Sequence, residues 1–152
     1  MAWELQVLAA GGGGSLGTVD QVRAKLRAAV PGIELGREAG GAEKIAAMEA
    51  AGVEVPDVIR ERWLASTGAY VGSFEGDDLT MEFSLGEDEA SVAGVLIDVR
   101  GSGDPMPIVR QLMAIEGWAV LDGSGGPPTK ESWEAFGEWR NDAVGRLSDR
   151  ET

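Results

Sequence analysis

Trp3, Leu5, Val7 and Ala9 alternate with Glu4, Gln6 and Leu8, the period of a strand with one buried face. A glycine-rich loop over residues 11–17 follows. Thr18 with Gln21 three residues on has the form of a capping box. Val19, Val22, Leu26 and Val30 then make the apolar stripe of a helix that Pro31-Gly32 ends. Residues 33–38 read as a short strand. Residues 39–68 predict two helices, one over 42–51 stopping at Gly52 and a second after Pro56, with Ile59, Trp63 and Leu64 facing inward.

The clearest β pattern comes next. Residues 70–75, a Gly76-Asp77-Asp78 turn and the strict alternation of residues 79–85 predict a hairpin. After a turn at 86–89, residues 92–100 predict a third strand, with Val95, Ile97 and Val99 on one face and Leu96, Asp98 and Arg100 on the other. Asp104-Pro105 supplies an N-cap and a first-turn proline for a helix carrying Ile108, Val109, Leu112 and Ile115, which Gly117 closes. Residues 118–122 predict a last strand. Thr129 or Ser132 caps a C-terminal helix that places Trp133, Phe136, Arg140, Ala143, Val144 and Leu147 in one arc, with Trp139 at its margin. The order β-α-β-α-α-β-β-β-α-β-α describes an α+β fold, with a largely antiparallel sheet, a central β-meander and packed helices. At 152 residues the expectation is one domain over 1–152.

Composition narrows the chemistry. With 43% hydrophobic and 26% charged residues the chain reads as globular. It has no cysteine and no histidine, so thiol and imidazole chemistry, including zinc knuckles and the Ser-His-Asp triad, is excluded. The net charge of −13 argues against a nucleic-acid partner, because phosphate backbones are bound through clustered cations. No run approaches the ~18 apolar residues of a membrane span. The start, Met-Ala-Trp-Glu, lacks a basic region followed by an apolar one. The expectation is a cytoplasmic protein with no membrane partner. Charge is also unevenly spread: residues 63–99 hold no Lys or Arg, while Glu75, Asp77, Asp78, Glu82, Glu87, Asp88, Glu89 and Asp98 lie there. Such a field favours a cationic partner.

Four constellations carry candidate chemistry. Gly12-x-Gly14-x-x-Gly17, with Glu34 beyond it, has the outline of a dinucleotide fingerprint. Four consecutive glycines satisfy that outline almost automatically, and an alternating first strand is not the buried parallel strand it requires, so a loop is the preferred reading. Arg100-Gly101-Ser102-Gly103-Asp104 could cradle an anion on backbone N–H groups, although Asp104 would compete for the same donors. The acidic turn residues are hard oxygen ligands, but their spacing does not match a calcium loop, and no metal or other cofactor is expected. Among the aromatic residues, Trp118 and Trp133 are expected to be structural. So is Arg140, with Asp122 as its partner; Trp139 is the better candidate for contact. Arg100 and Arg140 are each expected to pair with a carboxylate inside or at the rim of the core.

The succession of residues 79–85, Val99-Arg100-Gly101-Ser102-Gly103-Asp104-Pro105, Gly117-Trp118 and Leu121-Asp122 resembles a group of small uncharacterised bacterial proteins. In that group a strand ending in Arg-Gly-x-Gly-Asp leads into a helix and a Gly-Trp turn. The resemblance covers roughly residues 70–140 and implies a bacterial origin and a shared fold, but no catalytic residues. The leading expectation is a binding module whose acidic face, at Asp77, Asp78, Glu87 and Asp88, meets a basic protein, as an immunity-type inhibitor meets its toxin. The alternative is a small-molecule or anion-binding domain using Arg100 to Asp104. A carboxylate-based hydrolase ranks third, since catalysis without His or Cys must be built from carboxylates.

Overall fold

The computed structural model describes residues 2–138. Its strands are β1 (Trp3–Ala9), β2 (Glu34–Arg37), β3 (Tyr70–Gly76), β4 (Leu79–Gly86), β5 (Gly94–Gly101) and β6 (Trp118–Asp122). Its helices are α1 (Val19–Ala29), α2 (Gly41–Ala50), α3 (Asp57–Leu64) and α4 (Met106–Met113), and residues 130–138 are also helical (α5). All six strands join one antiparallel sheet in the order β2-β3-β4-β5-β1-β6. The architecture is the α+β one that the pattern predicts, with the β3-β4-β5 meander inside it.

Local chemistry explains the element ends. Thr18 Oγ1 accepts from Gln21 N at 3.2 Å, and Gln21 Oε1 accepts from Thr18 N at 2.9 Å, so α1 starts on the reciprocal box. Asp104 Oδ1 accepts from Met106 N at 2.9 Å, so it caps α4 while Pro105 occupies the N-cap position. Thr129 and Ser132 bond each other's backbone N–H at 3.0 and 2.9 Å and so open α5.

The core lies on one face of the sheet. α1 contributes Val19, Val22 and Leu26, and α4 contributes Met106, Val109 and Leu112. They join Leu5, Val7, Met81, Phe83, Val95, Ile97, Val99, Trp118 and Val120 from the strands. Each large side chain buried this way contributes about 1.5–3 kcal/mol. Trp133 of α5 closes one margin against Trp3, with ring centroids 5.2 Å apart, and stacks on Phe136 at 6.0 Å.

The region between β2 and β3 departs from expectation. Ile59 and Leu64, predicted to face inward, are 40% and 55% exposed, and α3 buries no residue. Its apolar side chains, Val58, Ile59, Trp63 and Leu64, spread around the helix and form no stripe to place on a core. α3 packs on α2 instead. The approach is so close that a Cβ on Gly41 would overlap the backbone of Trp63. The glycine-rich loop returns to the body of the fold by pairing with residue 92: Leu16 N donates to Val92 O and Val92 N to Gly17 O, both at 2.8 Å.

Candidate functional site

Side chains of a strand alternate between two faces. α1 and α4 occupy one face of this sheet, and among the described residues no element covers the other. The register therefore decides what that open face displays. Glu34, Ser73, Glu82, Asp98 and Glu4 fall in one row across β2, β3, β4, β5 and β1. Gly36, Val71, Ser84, Leu96 and Gln6 fall in the next. Between the rows runs a trough of about 770 Å³. Its floor is formed at Leu35, Gly72, Phe83, Ile97 and Leu5, the positions of these strands that belong to the core face. Glu38 stands at its β2 end. Leu96 is 58% exposed on its bank.

The acidic bank is electrostatically unfavourable as it stands. Glu82 lies directly opposite Asp98, and Asp98 directly opposite Glu4, an arrangement in which like charges weaken strand pairing. Arg100 reaches back from the adjoining row, with Nη1 3.3 Å from Glu82 and Nη2 4.0 Å from Asp98. One cation thus serves two of the carboxylates. Among the described residues, neither Glu4 nor Glu34 has an ion-pair partner.

The four turn acids singled out from sequence fall elsewhere. Asp77 and Asp78 form the β3–β4 turn, where Asp78 holds a left-handed φ of 52° and its carbonyl accepts from Gly103 N at 2.8 Å. Glu87 holds the loop before β3, accepting from Ser66 Oγ at 2.5 Å and Gly68 N at 3.1 Å. Asp88 accepts from Ala90 N at 3.0 Å within its own turn. Two of the four turn acids are therefore engaged in local structure, and they lie away from the trough.

Part of the Arg100–Asp104 cradle is already committed to the fold. Gly103 N–H bonds Asp78 and Met106 N–H bonds Asp104, while Gly101 carries a hydrogen-bond or charge contact of its own. Its glycines are needed because Cβ atoms at 101 and 103 would overlap the carbonyl groups of the β3–β4 turn. Arg100 itself is half-exposed on the open face, not at the core rim as expected.

Asp122 accepts hydrogen bonds from its own turn and the start of α5, and the Arg140 foreseen for it lies outside the described residues. Partial burial pushes its carboxyl up. Hydrogen bonds from the Ser124 hydroxyl (2.5 Å) and N–H (2.9 Å), from the Ser132 hydroxyl and from the Gly126 backbone outweigh this and hold it below its ordinary value. Trp118 is 6% exposed in the core. Trp139 and Arg140 lie outside the described residues.

The Gly12–Gly17 outline frames no dinucleotide fold, because β1 is antiparallel to both neighbours. Glu34 belongs instead to the trough. Among the described residues no group of three acidic side chains is placed to hold a metal ion, and no helix is long and apolar enough to cross a membrane. No protein-family model matches the chain, and neither a curated protein nor a solved structure matches it.

Proposed function

We propose that this protein is a binding module that takes a basic partner protein on the open face of its sheet, in the manner of an immunity-type inhibitor of a basic toxin. The observation that carries this reading is the row Glu34, Glu82, Asp98 and Glu4 beside the exposed Leu96, on a concave face that no element covers among the described residues. Carboxylates set directly opposite one another cost stability in the free protein; a cationic ligand recovers it. A surface built this way steers association through long-range attraction. The reading moves the interaction surface from the turns to the sheet face, and leaves Asp77 and Asp78 as peripheral charge. It includes a cytoplasmic setting and, from the resemblance over residues 70–140, a bacterial origin. The anion-binding alternative is the weaker reading, since Gly103 N–H, Met106 N–H and the Arg100 guanidinium already have partners within the fold.

The test uses two baits, the wild-type protein and a variant combining Glu4→Gln, Glu82→Gln and Asp98→Asn, in bacterial lysate. Basic proteins should be enriched on the wild type and lost from the variant. They should also be lost as salt rises and the Debye length shortens from ~10 Å at 0.1 M to ~3 Å at 1 M. Identical captured sets would overturn the reading.

A further inference from the structure

Resting on that reading, we infer that the segment of the partner seated in the trough is an amphipathic, cationic α-helix lying across the strands. The trough crosses five strands, and at about 4.8 Å between strands it is about 19 Å long. Its two banks differ chemically: one presents the Glu82-Asp98-Glu4 row, the other Val71 and Leu96. A helix advances about 4.5–6 Å over three to four residues. Lys or Arg at such spacing keeps step with the carboxylate row, while the neighbouring apolar stripe covers Leu96. About 13 helical residues span the length.

An extended segment fits less well. Its same-face side chains recur at about 6.8 Å, which falls out of step with the row after two residues. The trough also lies on a sheet face and offers no edge for main-chain pairing. Within a second copy of this chain, the exposed apolar helix among the described residues, α3, is a poor occupant: it belongs to a hairpin (residues 41–64) with five carboxylates against three cations, the same sign as the trough.

The experiment titrates the protein into three labelled peptides of equal length and equal Lys and Leu content, prolines taking the place of alanines, read by fluorescence anisotropy at ~0.1 M salt. One places Lys at helical spacing beside a leucine stripe, one is the same sequence broken by two central prolines, and one alternates Lys and Leu with period two. The helical isomer should bind about tenfold tighter than the other two and gain helical circular dichroism on binding. Leu96→Ala, checked for a wild-type unfolding midpoint, should remove most of that preference. Equal binding of all three, lost on neutralising Glu82 and Asp98, would overturn the helix while leaving the cationic partner in place. Preference for the alternating isomer would do the same. No saturable binding of any peptide would overturn both.

Discussion

Phe83 is 2% exposed in the core, whereas Glu82 and Ser84 on either side of it stand on the opposite face of the same sheet, which no element covers among the described residues. The comparison holds along β5 as well, where Ile97 is fully buried and Leu96 is 58% exposed. The inner positions of β4 (Leu79, Met81, Phe83, Leu85) and of β5 (Val95, Ile97, Val99) are all apolar, because burial there stabilises the fold. The outer positions carry a like-charged row and an exposed leucine that the fold does not need.

The first way to break this contrast is to exchange the fates of adjacent residues. Phe83→Ala should cost about 3–5 kcal/mol, from lost transfer energy and the cavity left behind, measured by denaturant unfolding. A loss below 1 kcal/mol would mean that the packed face is not the source of stability.

Gly101→Ala should come next, at about 2 kcal/mol. The residue has a φ of +99°, and its Cβ would overlap the Asp78 carbonyl. An unchanged midpoint would show that the β5 end is not locked to the β3–β4 turn.

At the rim between the faces, Asp122→Asn should lower the midpoint at neutral pH by a smaller amount. Its carboxyl is held below its ordinary value when folded. It therefore contributes stability above the unfolded carboxylate range and loses it as pH falls through the folded value. The wild-type and variant midpoints should converge in acid; a gap that persists there would contradict this.

Leu96→Ala should change stability by less than about 0.5 kcal/mol, because the side chain has little burial to lose. The smallest effect is expected for Glu4→Gln. It removes a charge opposite Asp98 that has no described ion pair, so stability should hold or rise by a few tenths of a kcal/mol, a gain that vanishes at 1 M salt.

Much of the packed face was legible from sequence because its signals are local. Thr18 and Gln21, the alternation of residues 79–85 and the strand at 118–122 each declare themselves within a few residues. The open face was half legible. Glu4, Glu82 and Asp98 occupy the polar positions of predicted strands. Nothing local, however, places β1 between β5 and β6, and only that pairing brings Glu4 beside Asp98. Contiguous charge drew attention to Asp77, Asp78, Glu87 and Asp88, yet Glu87 turns out to hold the loop at Ser66 and Gly68. Side-chain spacing along a chain shows where charge accumulates; strand register shows where it converges.

The most direct test of the central claim is to map, by nuclear magnetic resonance on the labelled wild-type protein, where the helical Lys-Leu-Ala peptide binds. Saturable shifts should centre on Val71, Ser84, Leu96 and Asp98, extend to Glu4, and disappear when Glu4, Glu82 and Asp98 are neutralised together. Shifts centred on the turns at Asp77, Asp78, Glu87 and Asp88, with the sheet face unmoved, would contradict the account.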